Sequence, residues 1–300
     1  MNTKALLMAF ITIIIWGSAF AAIRASLQGG YDAGHLVLVR YLIASGLFLI
    51  YALWPGSKFR LPNKSDLLRI IILGWTGISV YHIGVTFGVQ TITAGTAGML
   101  IGSTPIFTAI IAILILKERL TSLGWIGLGV GFIGILCITL GSTGPSLTLS
   151  NGAILVLIAA VATSVFFVFQ KTLLTRYNPI ELTAYFTWAG TLPFFFFSPG
   201  LFTSIQNATI EAHLSTLYVG IFPAAIAYVT WAIALSLGNA SSVASMMYLE
   251  PAVAICVAWI WLSEWPTTLS LIGGIIALSG VFIINVKGKT ILSKRWTRQI

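Results

Sequence analysis

Residues Ser241–Glu264 read SSVASMMYLEPAVAICVAWIWLSE. The run is about 24 residues long, or about 36 Å as an α-helix, which is enough to cross a bilayer core. Ahead of its last residue it holds a single charge, Glu250, set beside Pro251 in the middle. An acid placed there is costly unless it faces protein or water. An earlier run, Gly95–Glu118, reads GTAGMLIGSTPIFTAIIAILILKE. Placing Pro251 on Pro105 (251 − 105 = 146) also places Glu264 on Glu118. The chain therefore reads as two copies of one unit.

The surroundings of these runs are equally apolar. Of 300 residues, 58% are hydrophobic and 8% are charged, against about 25% charged in soluble domains. So little polar surface cannot cover this chain in water, and lipid must act as solvent. Spanning segments are then helices or strands of a closed barrel. Barrel strands alternate in short runs, whereas these runs are long and continuous, so the chain reads as all-helical. The net charge of +9 does not point to nucleic acid, because the basic residues sit in short loops and in the tail. Cys137 and Cys256 lie inside apolar runs and make neither a disulfide framework nor a metal site. Lys4 followed by ALLMAFITIII resembles the start of a signal peptide, but the run continues to Ile23 and its residues recur in the second half.

Apolar runs long enough to span fall near 4–26, 34–54, 67–89, 94–116, 123–141, 151–173, 180–198, 213–236, 241–262 and 268–286. That predicts ten transmembrane helices. With the N-terminus in the cytoplasm, the inner loops hold Lys58, Arg60, Lys64 and Arg69, then Lys117 and Arg119, then Lys171 and Arg176. The tail adds Lys287, Lys289, Lys294, Arg295 and Arg298, and it is expected to lie against anionic headgroups. Of the outer helix ends, Arg24 is the basic exception. This asymmetry puts both termini inside.

The spacing of 146 extends along the chain. Ser18 meets Ser164, Phe20 meets Phe166, Gly74 meets Gly220, Gly127 meets Gly273 and Gly134 meets Gly280. Five helices per copy is an odd number, so the copies are inverted relative to each other. The first ends its fourth helix with KERL inside, and the second ends its counterpart with SEWP outside. The glutamate is kept and the cations are gone, as an inverted copy requires. Helices 5 and 10 carry the small-residue spacings Gly127-x-x-x-Gly131 and Gly273-x-x-x-Ala277. These serve close packing within the chain or a homodimer through those faces.

Ten helices as five plus five, WGSAF at Trp16–Phe20, and the runs TPIFTAIIAILILKERL and EPAVAICVAWIWLSEWP resemble the EamA domains of the drug/metabolite transporter superfamily. On that resemblance, residues 1–146 form a first EamA-like five-helix repeat. Residues 147–286 form a second, inverted one, and 287–300 a basic cytoplasmic tail. The resemblance implies a secondary transporter in the bacterial inner membrane, often an exporter of amino acids or related metabolites. It also implies a central cavity lined mainly by helices 1, 3, 4, 6, 8 and 9. The second copy has Ala162-Thr163-Ser164 where the first has WGS, so Trp16 has no counterpart.

The polar residues inside the spans are the candidates for substrate binding or coupling. Glu250 leads, since a proton-coupled exporter needs a group that is protonated in one state and ionised in the other. Its structural alternative is a partnership with Arg40 or a hydroxyl. In helix 3, Trp75, Ser79, His82 and Thr86 recur in steps of three and four and are expected to share an inward face. His82 titrates near neutral pH in water. Helix 8 offers Tyr228, the counterpart of His82, and Trp231 as aromatic cavity walls or core packing. Arg40 either snorkels outward or binds a substrate carboxylate. Trp16, Ser18, Ser103, Thr104, Ser164 and Tyr248 complete the set, with hydroxyls free to bond back to their own helices. Pro105 and Pro251 each free the carbonyl four residues back, at Ile101 and Met247. With Gly102 they are candidate hinges or ordinary packing kinks.

No enzyme is expected. His35, His82 and His213 fall on different helices, and no HExxH or GxSxG motif occurs. No cofactor and no metal site are expected either. The partners expected are a small-molecule substrate, the lipid bilayer and protons. The competing readings are a channel or exchanger without ion coupling, and a membrane receptor or scaffold.

Overall fold

The computed structural model describes residues 3–57, 59–116, 121–142, 150–237 and 245–287. Glu118, Lys58, Lys117, Arg119, the 146/147 boundary and the basic tail beyond Lys287 lie outside the described residues. Those described contain helices and turns and no strand. The helices α1 (Thr3–Gln28) and α2 (Ala33–Leu53) are unbroken. Then α3 (Leu67–Gly74) passes through a π-turn, Trp75–Val80, into α4 (Tyr81–Gly88). Between α5 (Ala94–Ile101) and α6 (Thr104–Leu116) the helix is interrupted at Gly102 and Ser103. They are followed by α7 (Ser122–Gly141) and α8 (Asn151–Leu173). At Pro193, α9 (Pro179–Thr191) tightens into the 3-10 turn Leu192–Phe197. A short α10 (Leu201–Asn207) precedes α11 (Ile210–Ile221), which passes through a second π-turn, Phe222–Ile226, into α12 (Ala227–Leu237). The 3-10 turn Ser245–Leu249 leads into α13 (Glu250–Leu262), and α14 (Thr268–Lys287) ends the described chain.

Six stretches among the described residues are long and apolar enough to cross a membrane: Thr3–Gln28, Ala33–Leu53, Lys64–Gly88, Ser122–Gly141, Asn151–Gln170 and Ile210–Leu237. Of the other four expected spans, 268–286 lies on α14 and the rest fall on shorter helices. Three of these carry a proline (Pro105, Pro193 and Pro251), which removes a backbone donor and interrupts the regular ladder. The outward face is strongly apolar, with Phe196 and Ile260 among its most exposed side chains. A surface of this kind calls for lipid around it.

The packing repeats itself at the spacing read from the sequence. Helix α4 lies on α8 and α12 lies on α1, while α6 lies on α8 and α13 on α1. Likewise α3 meets α9 and α11 meets α2. Individual contacts obey the same shift. A Cβ on Gly74 would touch Ala189, and one on Gly220 would touch Ile43, the residue 146 before Ala189. Tyr31 and Tyr177, also 146 apart, each tie a connection down. Tyr31 Oη pairs with His213 Nδ1 at 3.0 Å, and Tyr177 Oη donates to Asp66 Oδ2 at 2.8 Å.

Helices α7 and α14 pack backbone to backbone. A Cβ on Gly134 would lie 2.3 Å from the backbone N of Ala277, and one on Gly280 would lie 2.4 Å from that of Gly131. The backbones touch because these positions carry no side chain. The small-residue faces of helices 5 and 10 are thus packed against each other within the chain.

Candidate functional site

Two irregularities shape the centre of the molecule. Residues 76–80 and 222–226 occupy equivalent places in the repeat (222 − 76 = 146), and both lie in π-turns. Such turns are frequent at functional sites. They set the facing of the residues that follow, Tyr81-His82 and Ala227-Tyr228. His82 Nε2 and Tyr228 Oη hydrogen-bond to each other at 3.1 Å. These two residues are each other's counterparts, 146 apart. Ser45 and Thr191, another such pair, also meet, with their hydroxyls 2.9 Å apart. Around His82 lie the rings of Tyr81 and Tyr41, at 4.5 and 4.8 Å between centroids.

Trp16 fills the space beside this pair. Gly17 lets α1 press onto α13, since a Cβ there would fall 2.7 Å from Val253. The Trp16 ring is then held edge-on to Tyr228 at 5.3 Å, against Trp231 at 5.4 Å, and stacked on Phe167 at 6.4 Å. Its Nε1 donates to the Pro223 carbonyl at 3.3 Å.

Trp16 and Tyr81 separate two small cavities, and both rings line each of them. The first has a free volume of about 20 Å³ and is walled by Arg40 and His82. The second, about 10 Å³, is walled by Glu250, Tyr228, Thr163 and Phe167. Space of this size holds a water molecule or two. Arg40 is 2% exposed and Glu250 is 1% exposed. Arg40 Nε and Nη1 and Glu250 Oε2 have no hydrogen-bond partner among the described residues. The Arg40 guanidinium lies 5.6 Å from the centroid of the Tyr41 ring. Among the described residues no ion pair joins Arg40 to Glu250. Burial of an ion costs several kcal/mol even after relaxation.

The structure gathers Trp16, Arg40, His82, Tyr228 and Glu250 around the two cavities, with Trp231 directly behind Trp16. It uses the other candidates differently. Ser18 Oγ donates to the Ile15 carbonyl and pairs with Tyr218 Oη at 2.6 Å. Ser79 Oγ donates to the Gly190 carbonyl at 2.8 Å, which fastens α9. Ser164 Oγ donates to the carbonyls of Thr104 and Ala160. Ser103 and Thr104 bond back to Leu100 and Ile101, so the carbonyl freed by Pro105 is taken by the Thr104 hydroxyl at 2.5 Å. Thr86 is buried, with Oγ1 unpartnered, and lines neither cavity. The Tyr248 side chain lies outside the described residues. Gly102 and Pro251 touch, with a Cβ on Gly102 only 2.3 Å from Pro251 Cγ, so two of the interrupted helices cross at their breaks.

Two expectations need correction. Trp75 does not share the inward face of Ser79, His82 and Thr86. It is half exposed and donates Nε1 to the Ala189 carbonyl at 3.0 Å. The π-turn beginning at Trp75 breaks the period of 3.6 on which that face was drawn. Arg40 does not snorkel outward but is sealed in the core. Residues missed from sequence include Tyr81, Phe167 and Thr163, which line the cavities, while Met247, named there for its freed carbonyl, lines the second.

One further polar cluster closes an end of the bundle. Arg24 at the end of α1 bonds through Nε to Glu264 Oε1, and through Nη1 to the carbonyls of Val89 and Ile92. Glu264 Oε2 accepts from the Ala94 N–H at 3.2 Å. The ends of α1 and α13 and the α4–α5 connection are thereby tied together. Among the described residues there is no group of three or more His, Cys, Asp or Glu able to hold a metal ion.

The EamA-like transporter family matches this sequence twice, at residues 3–140 and 150–286. An uncharacterized transporter of Bacillus subtilis, YdfC, is 37% identical, over 92% of this chain and 89% of its own. A probable terminal-alkyne amino-acid exporter of Streptantibioticus cattleyicolor is 36% identical, over 94% of both chains. A crystal structure with 19% sequence identity superposes with a TM-score of 0.65, covering 95% of this chain and 99% of that one.

Proposed function

The chain belongs to the EamA-like transporter family, and on that premise we propose that it is a secondary active exporter of amino acids or closely related small metabolites. It works by alternating access around the two central cavities. The observation that carries this reading is the His82–Tyr228 contact. Counterparts from two halves meet beside the two small cavities, His82 lining one and Tyr228 the other. Inverted repeats place a transporter's site at their interface, near the bilayer midplane.

The finer architecture follows the same support. Ten spans as two inverted five-helix repeats, near 1–146 and 147–286, agree with the double family match and with the contacts that recur at a shift of 146. The charge bias of the loops supports an inner-membrane protein with both termini, including the tail 287–300, in the cytoplasm. A homodimer would have to use faces other than those of α7 and α14, which hold each other. The solute passes unchanged, and protons are the coupling partner, exchanged at Glu250. The amino-acid class draws on the similarity to the probable amino-acid exporter of Streptantibioticus cattleyicolor.

The test is transport by purified protein in liposomes under an imposed pH gradient, with a panel of L-amino acids that includes L-propargylglycine. Uphill movement of at least one of them supports the reading. Movement only down its own gradient would make the protein a facilitative exchanger, and no movement of any solute would refute transport.

A further inference from the structure

Two side chains able to carry opposite charges, Arg40 and Glu250, are buried beside the same pair of aromatic rings, and no ion pair joins them among the described residues. Arg40 lines the first cavity and Glu250 the second, and Trp16 and Tyr81 stand between them. Arg40 has two donors without acceptors, and Glu250 has an oxygen without a donor. The residues that crowd them, Tyr41, Tyr81, His82 and Tyr228, bring rings and hydroxyls but no fixed opposite charge. A membrane protein retains unpaired charges in its core where a ligand or a pathway uses them.

The repeat sharpens the point. The counterpart of Arg40 is Phe186 (40 + 146 = 186), and the counterpart of Glu250 is Thr104 (250 − 146 = 104). Each charge therefore belongs to one copy only. The scaffold pairs with itself, but the two charges do not follow its symmetry.

We propose that Arg40 and Glu250 are the two ends of one binding site for a zwitterion, Arg40 taking the carboxylate and Glu250 the ammonium group of an α-amino acid. This rests on the transporter reading and narrows it to a ligand carrying both charges on one small frame. A guanidinium holds a carboxylate with charge-assisted N–H···O bonds, and Arg40 has open donors on two edges of the group, at Nε and at Nη1. A ligand with only a negative charge would leave Glu250 buried and unpaired. One with only a positive charge would leave Arg40 so. A zwitterion satisfies both and adds no net charge to the core. Its side chain meets the wall formed by Trp16, Phe167 and Tyr228. The cavities as seen are too small for an amino acid, so the partition must move to admit one.

The test is counterflow exchange in liposomes with three sets of solutes. The first is the twenty protein L-amino acids. The second and third are singly charged analogues, the amines isoamylamine and phenethylamine and the acids isocaproate and phenylpropionate. Wild-type protein is expected to exchange one or more amino acids and none of the four analogues. Arg40→Gln should lower that exchange roughly 30-fold or more, and its residual activity should no longer discriminate against the amines. Glu250→Gln should do the same with the acids. Arg40→Lys keeps the charge without the fork and should fall between. Thermal unfolding in detergent reports whether each variant folds. Should Arg40→Gln not fold, the analogue series on wild-type protein decides alone. Exchange of amines or acids as fast as of amino acids overturns the zwitterion site and leaves transport standing. Unchanged selectivity in both Gln variants overturns it equally. Failure of every solute to move overturns both.

Discussion

The tie at Arg24 and Glu264 should set how readily the centre opens on its side. Glu264 holds two elements at once, Arg24 through Oε1 and the Ala94 N–H through Oε2. The two side chains are 20% and 15% exposed, so solvent screens them only in part. A hydrogen bond to a charged group contributes about 1.5–3 kcal/mol and a neutral one about 0.5–1.5. Glu264→Gln keeps the shape and loses the charge, which should weaken the tie by about 1 kcal/mol after screening. Glu264→Ala loses both bonds and should weaken it by about 2 kcal/mol. If the tie exists only in the closed form, the open population rises about fivefold and about 30-fold respectively. The assay places a cysteine at Ala19, in the wall of the first cavity, with Cys137→Ser and Cys256→Ser as background. A membrane-impermeant thiol reagent is added on the side that carries Arg24, and the labelling rate is read. Rates rising in the order wild type, Gln, Ala would bear the reasoning out. An unchanged rate in Glu264→Ala would refute it, and equal rates in Gln and Ala would remove the charge from the account.

Three other outcomes are expected. Gly134→Leu should cost at least about 3 kcal/mol of stability, because its side chain would meet backbone. Gly129→Leu, where nothing lies within 4 Å, should be near neutral, and thermal unfolding in detergent compares the two. His82→Ala should change the apparent affinity for an exported amino acid about tenfold at unchanged protein level. Wild-type transport kinetics would leave His82 a packing residue. Reporter fusions to the two ends should both read as cytoplasmic, and a split result would rule out an even number of spans.

The spacing of 146 can be read directly from Pro105 and Pro251, and it pairs His82 with Tyr228. That the two touch could not be read, because a repeat gives equivalence and not distance. The cavity-lining helices were legible in outline through the polar residues at Trp16, His82, Tyr228 and Glu250. Arg40 was half legible. Judged on its own helix it had a route outward, and only the packing of α2 against α4 and α11 shows that route closed. Trp75 and Tyr81 failed for one reason. A π-turn has no marker in a sequence without a proline, and Trp75–Val80 contains none, whereas Pro223 marks its twin. The hydroxyls of Ser18, Ser79 and Ser164 look alike in the sequence, but their partners lie up to 200 residues away.

The meeting of His82 with Tyr228 also bears on how such a chain can have arisen. Two identical half-length chains facing each other would set imidazole against imidazole at this point, or phenol against phenol. Joining the halves in one polypeptide releases that constraint, because each side of the seam can then mutate alone. An imidazole opposite a phenol, and a lone arginine with no twin, are chemistries that a self-paired ancestor could not have placed at its own centre.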